Sequence, residues 1–265
     1  MKKYFITAAI ILAVLGCGFI ALQRKDNKMD NLAVTDPDLA LIRKNFIEQD
    51  VLPHGKLPAK TRYLVLLASH VATQSPKEFE LTLNEALDNG ISPTEAKETV
   101  YQTVPYAGLA KADDFILLAN RILTERGVRL PLESQSTTNA GNRLEKGIEV
   151  QSLIFGAEHI SGMRATAPQE LKHIQDYLSA NCFGDYYTRG GLDVQTRELL
   201  TFATLVSLGG ADAQVRAHVQ GNLNVGNDRR VLLDTVSQML PYIGYPRSLN
   251  GIAAINDITK DKTND

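Results

Sequence analysis

Two titratable residues, Glu198 and His218, lie on either side of a glycine pair and could form an acid/base pair. Glu198 precedes Gly209 by eleven residues (209 − 198), and His218 follows Gly210 by eight (218 − 210). If the flanking helices are antiparallel, the three-residue mismatch is only ~4.5 Å at ~1.5 Å rise per residue, so the side chains can meet. A carboxylate that orients an imidazole is suited to proton transfer near neutral pH.

The same pair also has a purely structural interpretation. His218 shares a helical face with Val215 and Asn222, at spacings of minus three and plus four, so we expect it to point inward. Buried histidines are commonly satisfied by a neighbouring carboxylate without any catalytic role. Glu198 also follows Thr-Arg in a first helical turn, where a negative charge suits the helix dipole.

The two cysteines and the remaining histidines do not have the spacing of metal ligands or of a disulfide. The chain has two cysteines, Cys17 and Cys182, and Cys17 lies in the N-terminal segment. An intramolecular disulfide within the mature domain is therefore excluded, and we interpret Cys182 as a small core residue. His159 and His173 have no ligand spacing with each other or with His218, so we assign no metal and no cofactor.

The elements that must position these residues belong to a segment that occurs twice. Thr61-Arg62 returns as Thr196-Arg197 at an offset of 135 (196 − 61), and Pro105-Tyr106 returns as Pro241-Tyr242 at 136 (241 − 105). One inserted residue between the two copies indicates a tandem duplication. We expect the copies to pack on each other as an internal pseudo-dimer.

Three polar residues near the acid/base pair are candidate substrate contacts: Arg197, Arg216 and Asn222. An arginine could bind a substrate carboxylate through two parallel hydrogen bonds. For Arg197, which has its counterpart in Arg62, the alternative is a structural ion pair that both halves need. For Arg216 the alternative is a solvated helix face.

The pattern of apolar residues, caps and breakers predicts helices and no strands. In the first half the helices are predicted at 37–48, 58–73, 76–89, 93–104 and 110–126. In the second half they are predicted at 143–155, 168–182, 192–208, 211–225, 229–240 and from 246 onward. Pro105 is expected to end the fourth helix. The predicted fold class is all-α, a duplicated helical bundle.

This pattern divides the chain into five parts. Residues 1–36 form a leader and linker, 37–129 the first repeat, and 130–141 a polar linker without periodicity. Residues 142–259 form the second repeat, and 260–265 a charged tail.

The N-terminus has the composition of a segment that exports or anchors a chain. Lys2-Lys3 precede an uncharged run over 4–22, and Val14-Leu15-Gly16-Cys17 resembles a bacterial lipoprotein processing site. Apolar residues continue to Leu22, so an uncleaved anchor and a plainly cleaved signal remain alternatives to a lipidated Cys17. We expect an exported protein of the periplasm or cell envelope that contacts the membrane only through this segment.

Several motifs of the second half occur in one characteristic order. They are Gly156-Ala-Glu-His159, Cys182-Phe-Gly184, the run from Gly191 through Glu198, the run from Ala217 through Gly226, and Pro241-Tyr-Ile-Gly-Tyr-Pro246. Together they resemble γ-carboxymuconolactone decarboxylase over 143–257, and 57–123 resembles the same domain more loosely. The resemblance implies the alkyl hydroperoxidase D fold, a trimer of pseudo-dimers, and a functional role for His218.

The redox branch of that superfamily uses a glutamate, a Cys-x-x-Cys pair and a histidine. The segment 198–218 contains no cysteine, and the pair would fall where the chain has Gly209-Gly-Ala-Asp-Ala-Gln214. Peroxide reduction needs an attacking thiolate and a resolving thiol, so this mechanism is absent from the sequence.

The first repeat differs from the second at both positions of the acid/base pair. Tyr63 aligns with Glu198 and Thr82 aligns with His218, while His70 lies in the preceding helix and does not replace it. We therefore predict that the first repeat is a structural partner and that the chain has at most one site.

The leading functional hypothesis is cofactor-free acid/base chemistry on a small carboxylated lactone or carbonyl compound, as in a carboxy-lyase. One alternative is a noncatalytic envelope scaffold or binding protein, and another is a peroxidase that depends on an external thiol. A net charge of −2 gives no electrostatic reason to expect nucleic acid as a partner. The expected partners are a small-molecule substrate and further copies of the chain in a homo-oligomer.

Overall fold

The computed structural model of the protein describes residues 31–260, and every regular element within that range is helical. The all-α prediction is therefore confirmed for this part of the chain. The predicted leader with Cys17 and the residues after Lys260 lie outside the described residues. Across 31–260, no helix combines the length and the apolar character needed to cross a bilayer.

The described residues 31–53 and 54–260 belong to two separate compact units. In the first unit, α1 spans Asn31–Thr35 and α2 spans Pro37–Asn45. The chain then continues as a π-helical turn over Phe46–Val51 and a short helical turn over Leu52–His54. Pro37 lies in the first turn of α2, where its missing N–H would have no helical partner.

The second unit contains both copies of the repeated helices. In the first copy these are α3 (Ala59–Ala72), α4 (Pro76–Asp88), α5 (Pro93–Ala107) and α6 (Leu109–Glu125). Their counterparts, numbered after three intervening helices, are α10 (Val194–Leu208), α11 (Asp212–Asn224), α12 (Arg229–Ile243) and α13 (Tyr245–Thr259). The predicted tandem form is thus present as two four-helix sets.

Between the two sets the chain builds a different substructure. Residues 126–142 are not helical, and α7 (Arg143–Phe155), α8 (Ala157–Thr166) and α9 (Lys172–Tyr177) follow. A single 3-10 turn, Gln169–Leu171, precedes α9, and a π-helical stretch, Leu178–Tyr187, continues it. The sequence pattern missed α8 and merged the last three elements into one helix.

Both repeated proline–tyrosine motifs lie inside helices, so the prediction that Pro105 ends its helix is wrong. Helix α5 runs through Pro105 to Ala107, and α12 runs through Pro241 to Ile243. Each proline removes one backbone hydrogen bond near the helix end, while the adjacent Tyr106 and Tyr242 pack against the core. The helices end instead at glycines with positive φ, 88° at Gly108 and 78° at Gly244.

The two sets pack around an approximate twofold relationship. Helix α3 contacts its counterpart α10, α5 of the first set contacts α10, and α12 of the second set contacts α3. One hydrophobic core draws on both sets, and burial of each large apolar side chain contributes about 1.5–3 kcal/mol. Its fully buried members include Val65, Leu67, Phe79, Leu200, Phe202 and Met239. This arrangement is the expected pseudo-dimer.

Candidate functional site

The Glu198 and His218 side chains meet across the hairpin of α10 and α11. His218 Nδ1 lies 2.6 Å from Glu198 Oε1, and Glu198 is fully buried while the His218 side chain is 8% exposed. Asp193 caps α10 by accepting a hydrogen bond from the Thr196 backbone N–H at 2.7 Å, which fixes where this helix begins. With Nδ1 engaged by the carboxylate, Nε2 is the ring nitrogen left to face a ligand.

The second oxygen of the same carboxylate accepts a hydrogen bond from a tyrosine. The Tyr187 hydroxyl donates to Glu198 Oε2 at 2.6 Å and also lies 2.7 Å from Thr201 Oγ1. Burial, reinforced by the Glu198 charge, raises the pKa of Tyr187 well above its usual value. Tyr187 therefore stays neutral and can serve as a donor at any physiological pH.

The first repeat contributes Tyr106 to the same site. Its hydroxyl donates to the Tyr187 oxygen at 3.2 Å, and its ring approaches the His218 ring edge to face, with centroids 5.5 Å apart. Phe155 contacts His218 in the same manner at 5.3 Å. Burial, and next the neighbouring Cys182 and Glu198, raise the pKa of Tyr106 well above its usual value. The site therefore contains residues from both repeats.

Cys182 is buried, as predicted, but it also touches the site. Its thiol donates to the Tyr106 hydroxyl oxygen at 3.4 Å. Burial raises the pKa of Cys182 to about 12, and the nearby Glu198 acts in the same direction. At neutral pH this thiol is protonated and is therefore a weak nucleophile.

Gly221 allows Glu198 to reach His218. A Cβ atom at position 221 would lie 2.3 Å from Glu198 Oε1 and 3.0 Å from Phe155 Cε1. Only a residue without a side chain leaves the carboxylate in its observed position.

Asn222 is fully buried and binds protein groups, so it is not exposed to a substrate. Its amide donates to the carbonyl oxygens of Glu198 at 3.1 Å and His218 at 2.7 Å, and it accepts from Asn227 Nδ2 at 2.8 Å. Asn222 thus joins α10 to α11 next to the pair, and this geometry does not fit the prediction that Asn222 contacts a substrate.

Arg197 forms a buried ion pair between the repeats. Its guanidinium donates to Glu98 Oε2 at 2.9 Å and to Gln102 Oε1 at 3.1 Å, and Glu98 is also bound by Arg189. Burial lowers the pKa of Arg197, an effect that Glu98 opposes. Arg197 therefore forms a structural ion pair and does not fit the prediction of a substrate contact, because its side chain has no exposed surface.

Arg216 lies on the solvated face of α11. Its side chain is 46% exposed and lies 3.4 Å from Asp257, which is also exposed. The two arginines expected to contact a substrate are engaged elsewhere, Arg197 with Glu98 and Gln102 and Arg216 with the Asp212 carbonyl oxygen and Asp257.

The corresponding place in the first repeat holds a different set of residues. His70 Nε2 lies 3.1 Å from Thr82 Oγ1, and Tyr242 of the second repeat contacts the His70 ring with centroids 4.9 Å apart. An imidazole from α3 therefore lies beside the residue aligned with His218, which the sequence did not indicate. Tyr63, at the position of Glu198, supplies no carboxylate.

The described residues hold no cluster of three metal-ligating side chains. A cleft of about 500 Å³ opens between α5, α6, residues 130–135 and Arg189, and its lining includes neither Glu198 nor His218. The acid/base pair itself meets solvent only through the small exposed part of His218.

Sequence comparisons match these two sets of helices to known proteins. The model of the carboxymuconolactone decarboxylase family matches twice, over 37–121 and 172–257. A 4-carboxymuconolactone decarboxylase of Acinetobacter baylyi (strain ATCC 33305 / BD413 / ADP1) is 27% identical over 123 residues, which are 46% of this chain and 91% of the relative. Glu198 and His218 lie in the second matched region, and Tyr106 lies in the first.

Proposed function

Because this chain belongs to the carboxymuconolactone decarboxylase family, we propose that its second repeat catalyses decarboxylation or a related proton transfer on a small carboxylated lactone. The observation that carries this proposal is the 2.6 Å contact between Glu198 Oε1 and His218 Nδ1. A buried carboxylate in that position fixes the tautomer and orientation of the imidazole, as a general acid/base requires.

In the proposed reaction the substrate carboxylate leaves as CO2. The electron pair of the broken C–C bond is delocalised towards the lactone carbonyl, and protonated His218 delivers a proton from Nε2 to carbon. Solvent then restores the proton on His218. Glu198 holds the ring through Nδ1 and balances the positive charge while the ring is protonated.

The substrate of the Acinetobacter relative, a 4-carboxymuconolactone decarboxylase, is the first compound to test. Purified full-length protein should release CO2 from 4-carboxymuconolactone, and the rate should fall in Glu198→Gln, which keeps the side-chain shape but removes the charge. Absence of turnover by the wild-type protein on this and related lactones would contradict the proposed reaction.

A noncatalytic binding or scaffold function is the second candidate. It is favoured by the first repeat, which has Tyr63 and Thr82 where the second has Glu198 and His218. The retained and hydrogen-bonded pair in the second repeat argues against it. A thiol peroxidase is disfavoured further, because a thiol with a pKa of about 12 supplies almost no thiolate at neutral pH.

We also propose export of the chain and assembly into a homo-oligomer. Export is supported by Lys2-Lys3 and the uncharged run over 4–22. The large apolar side chains exposed in the second unit are the candidate contacts, since contiguous apolar surface favours association. They include Leu117, Leu153, Tyr177, Tyr245 and Leu249. Light scattering of the purified protein measures the number of copies, and a monomer at micromolar concentration would contradict the assembly.

A further inference from the structure

The last turn of α5 delivers a first-repeat side chain to the second repeat. Helix α5 packs against α10 and against the π-helical stretch Leu178–Tyr187. Tyr106 therefore lies between the two elements that carry Glu198 and Tyr187. Tyr106 and Tyr187 are 81 positions apart in the chain, so this contact exists only because the repeats are docked.

The hydrogen bonds through this tyrosine all run towards one carboxylate. Cys182 donates to Tyr106, Tyr106 donates to Tyr187, and Tyr187 donates to Glu198. Each hydroxyl has a single proton, so a hydroxyl that donates to the next group can only accept from the previous one. A chain of donors that ends on a carboxylate strengthens the last bond in a buried setting.

The Tyr187 hydroxyl lies within hydrogen-bond distance of two oxygens that could accept its proton, one on Glu198 and one on Thr201. Thr201 Oγ1 lies 2.7 Å from the Tyr187 hydroxyl, close to the 2.6 Å that separates this hydroxyl from Glu198. A donor on the Tyr187 oxygen favours the arrangement in which the Tyr187 proton is directed to Glu198. Without Tyr106, the hydrogen bond from Tyr187 to Glu198 loses this polarisation and competes less well with Thr201.

We propose that Tyr106 of the first repeat is a positioning residue for the acid/base pair of the second repeat. Its hydroxyl acts on Glu198 through Tyr187, and its ring, like that of Phe155, packs edge to face with the His218 imidazole. The inference rests on the proposed function for its catalytic consequence, but not for its effect on the geometry of the pair. The degenerate repeat is then required for the chemistry of the intact one.

The duplication supplies a matched control in Tyr242. Tyr242 is the second-to-last residue of α12, as Tyr106 is of α5. Both rings are partly buried, and Tyr242 contacts the His70 imidazole across the repeats. The His70 imidazole lies within hydrogen-bond distance of Thr82. The residue aligned with Glu198 in the first repeat is Tyr63, which has no carboxylate. Removal of the Tyr242 hydroxyl should therefore leave the acid/base pair unchanged.

The test uses the full-length chain labelled with 15N-histidine. His218→Ala identifies the Nδ1–H proton resonance of the 2.6 Å bond to Glu198. Tyr106→Phe, which keeps the ring, should shift this resonance, and Tyr242→Phe should not. On a substrate that the wild type turns over, Tyr106→Phe should lower kcat about tenfold with little change in KM, the effect expected for one lost hydrogen bond. Tyr106→Leu, which also removes the ring, should lower kcat further.

An unchanged His218 resonance in Tyr106→Phe, with the fold retained by circular dichroism, would overturn the inference. An equal shift in Tyr242→Phe would overturn it as well, because the effect would then not depend on contact with the pair. The resonance needs no substrate, so failure of the proposed reaction is seen separately, as an absence of turnover in the wild type while the resonance still responds to Tyr106→Phe.

Discussion

Tyr106 from the first repeat and His218 from the second meet edge to face, with ring centroids 5.5 Å apart. A similar contact joins Tyr242 of the second repeat to His70 of the first at 4.9 Å. The two imidazoles come from different helices, α11 and α3, although the two tyrosines are equivalent. The duplication thus preserved the tyrosine that crosses to the other repeat, whereas the position of the Glu198 carboxylate is occupied by Tyr63 in the first repeat.

This asymmetry predicts unequal effects of substitutions at aligned positions. His218→Ala should lower turnover by about 10²–10⁴, the usual contribution of a general acid/base, without changing helical content. Thr82→Ala at the aligned position should leave turnover nearly unchanged.

Steady-state rates and circular dichroism of both variants are the required measurements. Equal losses of turnover would mean that the site extends over both aligned positions or that neither residue is catalytic. Full activity in His218→Ala would remove the acid/base mechanism and leave the binding or scaffold function ahead.

A second prediction concerns the glycine beneath the pair. Gly221→Ala places a Cβ atom 2.3 Å from Glu198 Oε1, so the carboxylate must move away from His218. We expect a loss of about 1–3 kcal/mol in stability from overpacking, together with a loss of turnover. Gly162→Ala is the control, because Gly162 lies within helix α8 with no atom within 4 Å of the added Cβ. It should be neutral or stabilising by up to about 1 kcal/mol.

Urea unfolding and turnover of these two alanine variants give the comparison. Wild-type activity in Gly221→Ala would show that the close approach of Glu198 to His218 is unnecessary for the reaction.

Much of this site could be predicted because its main contact is local. Glu198 and His218 lie on consecutive helices joined by a short turn, so helix geometry and residue counting were enough to bring them together. The repeated helices were also predicted closely, since each has clear periodicity and recognisable ends. An example is Ser92, which forms a complete capping box with Glu95.

The remainder of the site depends on contacts that have no local signal. Tyr187 lies in a π-helical stretch, which breaks the 3.6-residue pattern used to find helices. Tyr106 reaches the pair only through docking of the repeats. Its proline–tyrosine motif occurs twice in the sequence, but a proline is typical of a helix end, and nothing in the motif places the tyrosine near Glu198 or His218.

A third prediction concerns export. Fractionation of the native host should place the protein with membranes or the envelope, because Lys2-Lys3 and the run over 4–22 have the composition of an export or anchor segment. If Cys17 is lipidated, Cys17→Ser should abolish acyl labelling. Membrane association without labelling would favour the uncleaved anchor, and recovery of the full-length chain from the cytosol would contradict export.

A fourth prediction separates the buried ion pair from an exposed one. Glu98→Gln leaves the buried Arg197 without its carboxylate and should destabilise the protein by about 3–5 kcal/mol. Asp257→Asn removes the carboxylate from exposed Arg216 and should change stability by less than about 1 kcal/mol. Chemical denaturation of both variants provides the measurement. A small effect in Glu98→Gln would show that the ion pair with Glu98 is not what stabilises the buried Arg197.

The last prediction follows from the raised pKa of Cys182. The thiol has a pKa of about 12 in the folded protein against an ordinary value of 9.0, so above pH 9 the unfolded chain binds fewer protons than the folded one. Stability is therefore fully retained below pH 9 and falls as the pH rises towards 12, by up to about 1.4 kcal/mol per pH unit from this group. Tyr106 and Tyr187 also lower stability at higher pH, because burial raises the pKa of each.

Urea unfolding between pH 8 and 11 should show a shallower decline of stability with pH in Cys182→Ala than in the wild type. Identical declines, or rapid alkylation of native Cys182 at pH 8, would show that the thiol is more accessible to water than its contacts with Tyr106 imply.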